Sequence, residues 1–237
     1  FFNTDNVTVF NAQFGGNPIS MAFFESQGSG LMVNSGLMIS TGPFYNVNYD
    51  PLYFASTDIA GFNDVDIEMA TGGLSFDASV IEFDFIVNTT QTLDFNYVFA
   101  SEEYPEYVGS VYNDAFIFIL SGGQYSGNYS TGGENISMIP GTDLPVAINN
   151  VNMDFNAQYY LDNLTYGNYL SFDGMTSNLP AEFLAEEGVT YHIKIVVSDV
   201  GDSVYDSAVF LGYNSLGNPD SLVPPAQFDF SISDNDV

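Results

Sequence analysis

The 237-residue chain has no cysteine and no tryptophan, one histidine, and a single residue that is either lysine or arginine. Without cysteine there can be no disulfide framework, thiolate metal site, iron–sulfur cluster or cysteine nucleophile. A catalytic triad or imidazole-based zinc site would have only His192 to draw on. One basic side chain against 30 acids gives a formal net charge of −29. Phosphate neutralisation needs several cations, so no nucleic acid and no anionic membrane surface is an expected partner. No apolar run approaches the roughly 20 residues of a membrane span, so no membrane insertion is expected. No basic leader precedes Phe1, as expected of a processed or excised segment.

The chain is nevertheless rich in core-forming material: 46% hydrophobic and 16% aromatic. Disorder goes with few aromatics and low hydrophobicity, so the acidity here belongs to a folded protein. Leu93, Phe95, Tyr97 and Phe99 alternate with Asp94, Asn96 and Val98, the period-two pattern of a strand with one buried face. Similar signals occur at 7–14, 31–39, 80–87, 115–120, 191–197, 208–213 and 228–232, separated by Gly, Asn, Asp, Ser and Pro clusters. One short helical turn is predicted around 180–187. The pattern predicts an all-β chain: an antiparallel β-sandwich of jelly-roll type with at most one or two short helices. Residues 1–215 would form the sandwich. Residues 216–237 would supply a Pro-containing spacer and a C-terminal strand, pairing with the body or with a neighbouring subunit.

Thirty carboxylates cannot be neutralised by one basic residue, so solvent, salt or bound cations must do it. At ~1 M ionic strength the Debye length shrinks to ~3 Å, and such a surface is tolerated; at low salt it repels itself. Solvation accounts for most of these residues. Two clusters ask for more: Ser101-Glu102-Glu103-Tyr104-Pro105-Glu106-Tyr107 with Asn113-Asp114, and Asp199-Val200-Gly201-Asp202-Ser203-Val204-Tyr205-Asp206. Calcium takes six to eight oxygen ligands in irregular geometry, which acid-rich loops beside strands can supply. Glu102, Glu103, Asn113, Asp114, Asp199, Asp202 and Asp206 are therefore candidate calcium ligands. The same three aspartates of the second cluster could instead shape turns by bonding to their own backbone.

Lys194 and His192 fall on the face of the 191–197 strand opposite Tyr191, Ile193, Ile195 and Val197. Lys194 is expected to pair with a carboxylate, and His192 to be a hydrogen-bonded sheet residue, since no serine-nucleophile motif accompanies it. Asp64-Val65-Asp66-Ile67-Glu68 and Glu82-Phe83-Asp84 read as possible strands with paired carboxylates on one face, the only foothold for glycoside hydrolysis. Asn-x-Ser/Thr sequons begin at Asn6, Asn88, Asn128, Asn135 and Asn163, consistent with an extracellular life.

The segments Phe95-Asn96-Tyr97-Val98-Phe99-Ala100-Ser101-Glu102-Glu103-Tyr104 and Asn113-Asp114-Ala115-Phe116 resemble the signature of choice-of-anchor L domains. Pro140-Gly141-Thr142 with Pro145-Val146-Ala147-Ile148-Asn149-Asn150-Val151-Asn152 is similar to the next block. Tyr191-His192-Ile193-Lys194-Ile195, Asp199-Val200-Gly201-Asp202 and Tyr205-Asp206-Ser207-Ala208-Val209-Phe210-Leu211 are similar to the last, and Ser35-Gly36-Leu37-Met38-Ile39-Ser40-Thr41-Gly42 also fits. The blocks run in family order across roughly residues 7–215. The resemblance implies a secreted or surface-displayed bacterial domain with no established catalytic activity, joined to varied C-terminal anchoring or sorting signals. The acidic tail Asp234-Asn235-Asp236-Val237 carries no such signal, as expected if a sorting segment has been removed or neighbours retain the subunit. The expectation is thus a non-enzymatic structural or adhesive module outside the cell, a subunit of a fibre, surface layer or matrix. It would be stabilised by calcium and would self-associate with identical subunits, glycans being a second class of partner. A carbohydrate-binding or glycoside-hydrolysing sandwich is the alternative.

Overall fold

A computed structural model describes residues 6–26, 31–47, 54–166 and 170–212. Its described residues form thirteen strands: β1 (Val7–Gly15), β2 (Met21–Glu25), β3 (Ser35–Ser40), β4 (Ser75–Val87), β5 (Gln91–Ser101), β6 (Ala115–Ser121), β7 (Glu134–Asn135), β8 (Val146–Ala147), β9 (Tyr160–Asp162), β10 (Gly174–Thr176), β11 (Leu179–Ala185), β12 (Thr190–Val200) and β13 (Ser207–Gly212). Two short helices accompany them, α1 (Val65–Thr71) and α2 (Asn163–Tyr166). The first sheet runs β1-β4-β12-β6-β7 with β8 also on β6; the second runs β2-β3-β13-β5-β10-β9 with β11 also on β5. All named strand pairings are antiparallel. The chain is therefore all-β and sandwich-like, as its alternation predicts.

The main core lies between the sheets. Phe83 and Phe85 of β4, Phe116 and Phe118 of β6, and Tyr191, Ile193, Ile195 and Val197 of β12 meet Leu93, Phe95, Tyr97 and Phe99 of β5, Phe183 of β11 and Val209 of β13. Ring pairs interlock across it, with Phe95 and Phe118 edge to face at 4.7 Å between centroids. Both sheets carry a second apolar layer on their outer faces. Ile67 of α1 packs with Ile117, Ile119 and Val196 on the first sheet, while Val98, Ala100, Phe172, Met175 and Phe210 form the layer on the second. This is why β6 reads Ala-Phe-Ile-Phe-Ile-Leu without alternation: both of its faces are covered. It also corrects the one-face reading of β5, which holds only up to Asn96; beyond that point Val98 and Ala100 are buried on the other side.

Three further expectations are corrected. Residues 180–187 are not a helical turn; most of them lie in β11, with burial alternating residue by residue from Leu179 to Ala185. Asp64–Glu68 is not a strand. Asp64 is the N-cap of α1, its Oδ1 accepting from the amides of Asp66 and Ile67, and Gly72 closes the helix in the left-handed region. The strand expected from Leu31 begins only at Ser35. The strand expected at 228–232, the spacer before it and the whole 216–237 segment lie outside the described residues. Among the described residues, no helix is long and apolar enough to cross a membrane.

Candidate functional site

Strand pairing brings the two acidic clusters to one end of the sandwich. Ser101, the last residue of β5, pairs with Ser207 at the start of β13. Ala115, the first residue of β6, pairs with Ser198 near the end of β12. The 102–114 and 201–206 segments therefore both cross from one sheet to the other, side by side. Backbone bonds join them: Glu102 N donates to Asp206 O at 3.1 Å and Asn113 N to Val200 O at 3.2 Å. Gly201 is required where they touch. Its φ is +106°, and a Cβ there would lie 2.9 Å from the Val111 carbonyl oxygen.

Glu102, Glu103, Asp114, Asp199 and Asp206 are each no more than 3% exposed. Asp114 is the best satisfied, Oδ1 accepting from Val200 N at 2.9 Å and Oδ2 from Ser207 Oγ at 2.7 Å. Asp206 Oδ1 accepts from Thr57 N at 2.8 Å, while Oδ2 receives no bond. Glu102 Oε2 likewise receives none, nor does either oxygen of Asp199 at hydrogen-bonding distance. The groups that face Asp199 are the carboxyls of Asp114, Asp206 and Asp77 and the hydroxyl of Thr41.

No lysine or arginine offsets this charge. The only basic side chain, Lys194, is buried on the outer face of the first sheet, 2.6 Å from Asp64 Oδ2 and 2.7 Å from Asp66 Oδ2. Burial alone would push Asp66 up, but hydrogen bonds from Lys194 and Ser130 outweigh it and hold the group below the usual carboxylate range. At the loop base the balance is reversed. Burial pushes Glu102 up to about 9, with repulsion from Asp173 added. It takes Asp173 to about 7, with Glu106 and Asp162 adding to it, and Asp206 to about 6 despite the Thr57 amide. Glu103 and Asp199 are raised as well, first by burial and then by Asp114, with Asp202 adding to the first and Asp206 to the second; burial also raises Asp114, against the bonds it accepts from Ser207 and Val200. Buried carboxylates without partners must take up protons or bind cations, because an isolated charge in such surroundings costs several kcal/mol. Among the described residues, no group of three or more Asp, Glu or His side chains is arranged so that it could hold a metal ion.

The remaining candidates sit apart from this buried group. Asn113 Oδ1 accepts from Asn149 N at 2.9 Å and fixes the neighbouring 145–150 loop. Asp202 is half-buried, and its Oδ1 accepts from Val204 N at 3.0 Å, which is turn-shaping. Sequence reasoning missed Asp173 and Asp77, buried acids brought in from distant segments. No local pattern marks Asp173: Leu170, Ser171 and Phe172 before it are all buried, and a period-two reading would have turned its side chain outward. The acids behind the hydrolase alternative have bonded partners. Asp64 and Asp66 clamp Lys194, while Asp84 is bonded to His192 at 2.8 Å and to Asn11 at 2.7 Å. Glu82 accepts from Gln13 at 2.7 Å. Lys194 and His192 are thus paired as their strand positions predict.

No curated protein and no solved structure matches the chain. The family model of the choice-of-anchor L domain matches residues 1–217, which contain every element and every buried acid described above. The chain belongs to the choice-of-anchor L domain family.

Proposed function

We propose that this domain is a stiff, non-catalytic building block of a bacterial surface assembly, and that calcium secures the two loops that bridge its sheets. Membership in the choice-of-anchor L family makes it a module of the bacterial surface or secreted space. The observation that carries the finer reading is the set of five acids, Glu102, Glu103, Asp114, Asp199 and Asp206, buried at the junction of the bridging loops with no basic partner. In a calcium-poor medium they hold protons. Where calcium is plentiful, a modest rearrangement of the loops lets Asp199, Asp206 and Glu103 exchange those protons for the metal, with carbonyls and water completing the shell. Each ion bound only to the folded state adds stability by mass action. Self-association follows from a sheet edge: among the described residues β1 ends the first sheet with β4 as its named strand partner, and an exposed edge can be completed by another copy.

The test is imaging and sedimentation of native material, with and without chelator. Polymers that loosen when calcium is withdrawn are the expected result. A monodisperse monomer at every concentration and calcium level would contradict assembly.

A further inference from the structure

The bridging loops also hold a recess whose tyrosine lining the calcium reading does not use. Glu103, Tyr107, Tyr112, Asp202, Val204 and Tyr205 line a recess of about 270 Å³. Tyr107 stands edge to face against Tyr112, with ring centroids 5.4 Å apart and planes at 87°, and its other neighbour, Tyr205, is 5.2 Å away at 40°. The loop is held in place at several points. Tyr112 N donates to Ser110 Oγ, Asn149 Nδ2 to Ser110 O, and Tyr205 N to Ser56 Oγ. Tyr205 has φ of +68°, a conformation a tyrosine rarely adopts and one that surrounding contacts must maintain.

We propose that this recess binds an alkylammonium or quaternary ammonium group carried by another molecule. Aromatic faces set at right angles make a corner that surrounds a compact cation, with each ring quadrupole attracting it. Two carboxyl groups, Glu103 and Asp202, line the same space, and no basic side chain lies with them. A sugar ring would instead call for a flat aromatic platform. Calcium would call for six to eight oxygens, where the recess offers two carboxyl groups among three rings. The cation cannot be a side chain of a second copy of this chain, because Lys194 is the only lysine or arginine and is buried between Asp64 and Asp66. It comes from a basic side chain outside these 237 residues or from a free amine.

The test is calorimetric titration of the whole domain in calcium-free buffer at fixed ionic strength. The probes are Nα-acetyl-lysine amide, tetramethylammonium and the neutral isostere Nα-acetyl-norleucine amide. At least one ammonium compound should bind saturably and at least ten-fold more tightly than the norleucine derivative. A preference for the lysine amide indicates a protein-borne cation, and a preference for tetramethylammonium a free one. Tyr107→Leu and the more exposed Asp202→Asn should each weaken binding about ten-fold with little change in the melting midpoint. Equal binding of the neutral isostere overturns the proposal. So does affinity that survives both substitutions, or saturation by neutral sugars in place of ammonium. Because the buffer lacks calcium, failure here leaves the calcium reading standing, and the reverse also holds.

Discussion

The carboxyl group of Asp206 packs directly against the Cα of Gly42, leaving no room for even a methyl group. Asp206 is held there by the Thr57 amide, so it cannot simply swing away. Gly42→Ala should therefore destabilise the domain by about 1–3 kcal/mol, the usual range for forcing an extra methyl group into packed surroundings. Urea unfolding checks this. The penalty should largely vanish in an Asp206→Ala background, which empties the contested space.

Lys194 is the counterion of Asp64 and Asp66, and all three are buried. Lys194→Met should cost about 3–5 kcal/mol, since it strands two carboxylates under α1. Adding Asp64→Asn and Asp66→Asn to that variant should restore more than half of the loss, because Asn still caps the helix and neither position then carries a charge. Denaturation midpoints of the single and triple variants decide the point.

Asp199 gives an opposite sign. Its carboxyl is raised by burial and by Asp114 and Asp206, so without calcium it opposes folding increasingly as pH rises. Asp199→Asn should then raise the melting midpoint in chelator at pH 8 while abolishing most of the gain from added calcium. A midpoint lowered in chelator would mean that Asp199 serves the fold as an anion.

Much of the fold is legible in the sequence, and the misreadings have local causes. A helical turn is expected around 180–187, yet Leu179, Ala181, Phe183 and Ala185 already alternate with Pro180, Glu182 and Leu184. Among the described residues β11 pairs with β5 alone, and an edge strand of this kind is where a proline is tolerated. Asp64–Glu68 mimicked a strand through its alternating acids, although an N-capping Asp and a closing Gly72 framed a helix. The candidate site was half legible. Acid density marked both loops, but not which acids are buried, because Asp and Glu are normally exposed. Burial depends on the β5–β13 and β6–β12 pairings, and Asp173 and Asp77 join only through the folded chain.

The central claim is that the buried acids of the bridging loops hold protons or calcium, and the melting midpoint as a function of pH, with and without calcium, tests it most directly. Glu102, Asp173 and Asp206 are raised from ordinary values of 4.5 or 3.8 to about 9, 7 and 6. Groups raised in the fold contribute stability that is complete below their unfolded values and is lost as pH rises through the folded ones, at up to about 1.4 kcal/mol per pH unit for each such proton. Asp66, held low by Lys194, acts in the other direction and weakens the fold only in acid. The account predicts a chelated midpoint that is highest near pH 5 and falls towards pH 9, with calcium restoring more of it the higher the pH. A chelated midpoint that stays level or climbs across that range, or a calcium effect that is absent at pH 8, would contradict it.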